Sequence, residues 1–116
     1  MNTIAIGKRA EQAAAVYLQK YGLRMTAENY RCRRGEIDLI AEDNGVLVFV
    51  EVRRRRQLDD AAESICPHKQ RRLTAAAAHY LAAFGERPCR FDAVLIDDKG
   101  HLRWIKQAFD AQYGDN

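Results

Sequence analysis

The chain has 116 residues, 47% of them hydrophobic and 30% charged, the balance expected of a single globular domain over residues 1–116. Nineteen Lys and Arg against sixteen Asp and Glu leave a net charge of +3, too mild for a basic tail or an acidic solvating segment. The longest stretch without a formal charge, Leu73 to Gly85, is 13 residues, short of the roughly 18 that a membrane span needs.

No secretory signal is readable, because Lys8, Arg9 and Glu11 precede the short Ala13–Val16 run. Cys32, Cys66 and Cys89 form no C-x-x-C pair and have no histidine at zinc-finger spacing. A disulfide framework or a structural zinc is therefore not expected, and the reducing cytoplasm is the simplest home. With Ser64 the single serine and no G-x-S-x-G or P-loop pattern, serine hydrolases and P-loop nucleotide enzymes are disfavoured.

In chain order, the first element is a helix over residues 5–21. Ile6, Ala10, Ala14, Tyr17, Leu18 and Tyr21 mark one face of it, and Gly22 ends it. A weak strand follows over 23–32. Apolar-rich runs at 36–41 and 46–52 flank Asp43-Asn44-Gly45, the strongest short-range hairpin signal. Residues 53–66 read as a polar loop. Pro67 opens a second long helix to Phe84, with Gly85 as its stop and Leu73, Ala77, Tyr80, Leu81 and Phe84 as its stripe. Strands at 90–96 and 102–105 bracket the turn 97–100, and a short helix over 106–113 closes the chain. The order αβββαββα predicts an α/β fold, one mixed sheet with helices packed on it.

A two-residue turn at Asn44-Gly45 fixes a register in which Asp43 faces Val46, Asp38 faces Glu51 and Glu36 faces Arg53. Strand side chains alternate, so these last four residues share a face, opposite an apolar face of Ile37, Leu39, Val48, Val50 and Val52. Directly opposed carboxylates, about 5 Å apart at Cβ, repel by on the order of 1 kcal/mol in water and by more where the site is dry. Mg²⁺, commonly held by one or two carboxylates plus phosphate oxygens, would relieve that repulsion. A solvated face with a Glu36–Arg53 pair is the competing reading.

Ten of the nineteen cationic residues fall between residues 31 and 72, as Arg31, Arg33, Arg34; Arg53, Arg54, Arg55, Arg56; and Lys69, Arg71, Arg72. Eight acids are interleaved with them, so net charge understates the local excess. A charge run is usually a solvated face. Yet the last three cations occupy the first turns of a predicted helix, where the macrodipole favours anions. Gln70 lies on or beside the apolar stripe, where it either caps a backbone group or points into a site. Glu11 sits at the edge of the first helix's buried face, where an exposed glutamate is the commoner explanation.

The runs Gly35-Glu36-Ile37-Asp38-Leu39-Ile40 and Val48-Phe49-Val50-Glu51-Val52-Arg53 resemble the D…(D/E)-x-K core of the PD-(D/E)XK nuclease superfamily. The chain as a whole resembles the small YraN-like family of uncharacterised predicted endonucleases, related to archaeal Holliday junction resolvases. Gly7 and Glu11, Asn29 with Arg31, Lys69-Gln70 and Arg90-Phe91-Asp92 add to the match, which covers nearly the full length.

The resemblance implies a restriction-endonuclease-like mixed sheet flanked by helices. It makes Asp38 and Glu51 metal ligands for Mg²⁺ or Mn²⁺, Glu11 an assisting carboxylate, and Gln70 a residue reaching in from the following helix. Arg53 stands where the superfamily usually has lysine. Arginine does not lose its proton, so Arg53 would orient water and phosphate rather than act as a base. The P/N-D dipeptide of the superfamily is absent, with Ile37 before Asp38.

The expected function is divalent-metal-dependent hydrolysis of DNA phosphodiester bonds, on branched DNA by family analogy. The basic clusters would track the backbone, and a homodimer is consistent with the resolvase resemblance. The rival is a non-catalytic nucleic-acid-binding or repair-adaptor module that keeps the fold, which the lysine-to-arginine departure favours. A purely structural domain is the third reading.

Overall fold

A computed structural model describes residues 2–113. Helix α1 (Thr3–Lys20) is followed by β1 (Arg24–Cys32), β2 (Gly35–Asp43) and β3 (Val46–Arg54). A short helix α2 (Leu58–Glu63), the long helix α3 (Pro67–Phe84), and strands β4 (Cys89–Ile96) and β5 (Leu102–Phe109) complete the elements of the described residues. The five strands form one sheet in sequence order, antiparallel except for β3 against β4, which run parallel. A parallel pair cannot be joined by a hairpin, and α2 with α3 supplies the crossover.

β3 lies at the centre. Leu47, Val48, Phe49 and Val50 are all at most 1% exposed, as expected of a strand covered on both faces. One face packs Leu39, Ala41, Val48, Val50 and Val94 against Ala10, Ala14 and Leu18 of α1. The other packs Ile37, Ile40, Leu47, Phe49 and Phe91 against Leu73, Ala76 and Ala77 of α3. On that second face Ala61 and Ile65, from α2 and the turn after it, cover Ala93 and Leu95.

The hairpin turns as its sequence demands: Asn44 and Gly45 have φ of 50° and 86°, the positive values of a type I′ turn. The pairs Asp43↔Val46 through Leu39↔Val50 reproduce the expected register. Four expectations are corrected. Residues 58–63 of the expected loop form α2. Residues 106–113 are not a helix, because β5 continues to Phe109. Tyr21 and Phe84, assigned to buried stripes, are exposed, and the buried residues of α3 are Leu73, Thr74, Ala76 and Ala77.

The fourth correction concerns Ile37, which packs on the α3 face although Leu39 packs on the α1 face. Regular alternation would put both on one face, so β2 changes parity at Asp38. Beside it Asn29, with φ of 51°, interrupts the β1–β2 pairing between Glu28↔Leu39 and Tyr30↔Ile37. Asparagine tolerates this left-handed backbone better than most residues. The sheet is thus locally irregular where its central acid stands.

Candidate functional site

Asp38 is anchored by the gap in its own strand. Its Oδ2 accepts the Val52 N–H at 2.8 Å, so a side chain takes over just beyond the last paired residues, Leu39 and Val50. This fixes the carboxylate between β2 and β3 with lone pairs to spare. Glu51, on the adjacent strand, is 2% exposed. Burial pushes its carboxyl up to about 8, and the charge and hydrogen bonding of Asp38 push in the same direction. Lys69 and Arg53 offset only part of that rise.

Arg53 Nε lies 2.9 Å from Glu51 Oε2 without the alignment of a hydrogen bond. Arg53 Nε is therefore buried without a hydrogen-bond partner, and so, on the other side of the carboxyl, is Glu51 Oε1. Buried polar atoms are nearly always paired, and an unpaired one costs roughly 1–3 kcal/mol. Lys69 Nζ approaches the same Oε2 at 3.5 Å from the first turn of α3. Two cations therefore converge on one oxygen of Glu51 while the other oxygen is left open.

Glu11, on α1, flanks Asp38 from the opposite side. Partial burial, then the Asp38 charge, raises its carboxyl above the ordinary glutamate range, while Asn29 and Lys8 act against the rise. Glu11, Asp38 and Glu51 thus form a chain of acids in which Asp38 influences both neighbours. Among the described residues no group of three or more His, Cys, Asp or Glu side chains is arranged to hold a metal ion. The donor set at the centre is the pair Asp38 and Glu51, with Glu11 at its margin.

The expected Glu36–Arg53 pair is not formed. Glu36 takes Arg31 Nε at 2.9 Å, and Arg53 turns to Glu51. Gln70 follows the capping alternative: its Nε2 donates to the Ile65 carbonyl at 3.0 Å, tying α3 to the turn after α2. It also borders a cavity of about 160 Å³ with Ala62, Ala93 and Phe109. Its recorded partner is that carbonyl rather than a carboxylate.

Lys69, expected among the phosphate-tracking cations, also stands beside the acid pair. The signal for that in the sequence is a cation in the first turn of a helix, where the macrodipole disfavours it.

The basic clusters separate into two groups. Gly35 is packed so closely on α3 that an added Cβ would sit 2.1 Å from the Arg72 carbonyl oxygen. That contact sets the β1–β2 turn, carrying exposed Arg33 and Arg34, against the segment carrying exposed Arg71 and Arg72. The run from Arg53 to Arg56 disperses. Arg53 enters the acid pair, Arg54 borders a cleft with Ile6, Arg9 and Ala10 of α1, and Arg55 donates to the Arg54 carbonyl. Arg56 lines a groove that also holds Asp59, Asp97 and Asp98.

No helix among the described residues is long and apolar enough to cross a membrane. The profile of the Uncharacterised protein family UPF0102 matches residues 10–96. The chain is similar to the UPF0102 protein of Nitrosococcus oceani, 53% identical over 111 residues, covering 89% of this chain and 90% of the relative. The UPF0102 protein of Nitrosomonas eutropha is 52% identical over 107 residues, 90% of this chain and 92% of its own. That of Dechloromonas aromatica is 50% identical over 111 residues, with 94% and 92% covered. With most of its length and all of the Glu11, Asp38, Glu51 and Lys69 positions inside the matched segment, the chain belongs to the uncharacterised protein family UPF0102.

Proposed function

We propose that the protein is a divalent-metal-dependent endonuclease that hydrolyses DNA phosphodiester bonds. The observation carrying this reading is Glu51 Oε1, a buried carboxylate oxygen without a hydrogen-bond partner, next to an Asp38 carboxylate that is anchored through only one oxygen. Hard oxygen donors of this kind suit Mg²⁺ or Mn²⁺, which need only one or two protein carboxylates. Asp38 and Glu51 would hold the ion, with Glu11 assisting from α1. A bound ion supplies Lewis-acid polarisation of a phosphoryl oxygen and a more acidic bound water.

The remaining chemistry belongs to the chain. Lys69 and Arg53 hold positive charge against Glu51 and stabilise negative charge gathering on the phosphate. An arginine does not serve as a base, so Arg53 would orient water and phosphate rather than activate them. Arg31, Arg33, Arg34, Arg71 and Arg72 contact the backbone without reading bases. The cysteine usage supports a cytoplasmic setting, and the resolvase resemblance supports branched DNA as substrate and a homodimer as the working form.

The test is cleavage of linear and four-way DNA with added Mg²⁺ or Mn²⁺, by the wild type and by Asp38→Ala and Glu51→Ala. Cutting that needs the ion and is lost in both variants is the expected result. Metal-independent cutting that survives both substitutions would overturn the mechanism. Arg53 in place of lysine favours a second reading, a non-catalytic DNA-binding module. That reading predicts salt-dependent DNA binding with no cutting under any ion.

A further inference from the structure

We propose that a cleft over the first turns of α1 is the track of the bound DNA backbone, with Gly7 the point at which that backbone crosses the helix. The inference rests on the nucleic-acid reading above and says where on the molecule the substrate lies. The cleft has a volume of about 360 Å³ and is lined by Ile4, Gly7, Lys8, Glu11, Asn29 and Arg31. Residues 4, 7, 8 and 11 share one face of α1, by the three- and four-residue spacing that stacks side chains along a helix.

Gly7 is the unexplained member. It lies inside α1, where glycine is markedly less favourable than alanine. Its backbone is not among those with positive φ, so the conformation does not require glycine. A Cβ built on it would meet nothing within 4 Å, so internal packing does not require it either. The remaining physical use of a side-chain-free position is close approach by a backbone from outside.

Charge selects the occupant. Lys8 from α1 and Arg31 from β1 both line the cleft. Arg31, exposed and paired with Glu36, can exchange that carboxylate for a phosphate. A polyanion lying along the cleft would have its phosphates between these two cations. Glu11 connects the cleft to the candidate site, since its carboxyl is held near Asn29 and feels the Asp38 charge. A strand passing over Gly7 is thereby led to the acid pair. An apolar peptide would gain nothing from the cations, and a basic one would be repelled by them.

The test measures binding of the full chain to a fluorescein-labelled DNA duplex, without divalent ions, across a salt series. Gly7→Ala should raise the melting temperature by about 2–6 °C and yet weaken DNA binding several-fold. Gly7→Leu should weaken it at least ten-fold while the protein stays folded. Lys8→Ala should lower the slope of log affinity against log salt by about 0.9, the loss of one phosphate contact. Stability and affinity moving in opposite directions at Gly7 is the signature of an external neighbour. Unchanged affinity in both Gly7 variants, or an unchanged salt slope in Lys8→Ala, overturns the track while leaving the nuclease reading in place. A wild type that binds no DNA overturns both.

Discussion

Lys69 Nζ stands 3.5 Å from Glu51 Oε2, linking the first turn of α3 to the central strand of the sheet. This pair gives the helix start a reason for its cation, because Lys69 finds in β3 the acidic partner that the first turn of α3 itself lacks. Lys69 is one of two cations that lower the Glu51 carboxyl against burial and Asp38. Lys69→Met keeps the apolar stem and deletes the charge. It should move the Glu51 titration upward from about 8 and reduce metal-dependent DNA cutting by about 10²-fold or more, the scale of losing one charge-stabilising group. Carboxyl-resolved NMR titration and single-turnover cleavage check the two parts. Arg71→Ala, on the exposed part of the same helix, should weaken DNA affinity instead.

The raised Glu51 carboxyl also sets the pH dependence of folding. Its folded value of about 8 lies above the ordinary 4.5, so between those two values the folded state binds more protons than the unfolded state. Stability without divalent ions then falls as pH rises through this window, because slope follows protons bound unfolded minus folded. The loss by pH 9 should be on the order of a few kcal/mol. Glu51→Gln removes the titration, flattening the profile and making the protein more stable than wild type at pH 9. Urea unfolding from pH 5 to 9 checks this. Added Mg²⁺ should raise the melting temperature of the wild type most at the alkaline end, where the carboxylate is already ionised.

Parts of this arrangement were legible in the sequence because they depend on local rules. Asn44-Gly45 admits few hairpin geometries, and the register it dictates holds from Asp43↔Val46 to Leu39↔Val50. The ladder ends there, and the Asp38 carboxylate instead accepts the Val52 N–H. Pro67 and Gly85 bound α3 for equally local reasons. The expected helix over 106–113 meets no strand alternation in the sequence to contradict it, because Ile105, Ala108 and Phe109 recur at three and four residues. All three pack in one cluster, and the odd spacing arises from a bulge: Gln107 has φ of 51°, and the β4–β5 pairing shifts between Phe91 and Ala93. Lys69 and the turn of Ile37 toward α3 were hidden for a different reason. Both follow from contacts between distant segments, which no periodicity encodes.

Gly35 offers a prediction about the basic surface. A Cβ at this position would lie 2.1 Å from Arg72 O and 2.8 Å from Arg72 C, and backbone cannot rotate away as a side chain can. Gly35→Ala should therefore force β2 and α3 apart at a cost of about 1–3 kcal/mol, the usual range for overpacking. Because that contact sets Arg33 and Arg34 beside Arg71 and Arg72, DNA affinity should drop along with stability. Urea unfolding and a binding titration on the same preparation check the coupling. Unchanged affinity in a folded Gly35→Ala protein would mean the two clusters act separately.

Asp92 carries the last prediction. It is wholly buried, and every hydrogen bond recorded for it is to a donor. Oδ1 takes Arg90 Nε and the Gln107 N–H, both at 2.9 Å. Oδ2 takes Trp104 Nε1 at 2.9 Å and Arg90 Nη2 at 3.2 Å. One carboxylate thus fixes the β5 bulge, the Trp104 ring and an arginine whose Nη2 also holds Asp43, at 2.9 Å, beside the hairpin turn. Asp92→Ala would strand the Trp104 N–H and the Gln107 N–H and leave Arg90 with Asp43 as its one remaining acid. Breaking one partner of a buried ion pair costs about 3–5 kcal/mol, a large share of the 5–15 kcal/mol that holds a typical domain. Asp92→Asn preserves shape but points an amide N–H₂ at donors, and should recover only part of the loss. Chemical denaturation, with Trp104 fluorescence as the local probe, should show the β4–β5 region loosening. Cutting by any folded fraction should persist, since Asp92 binds β5 and Arg90 rather than the Asp38–Glu51 pair.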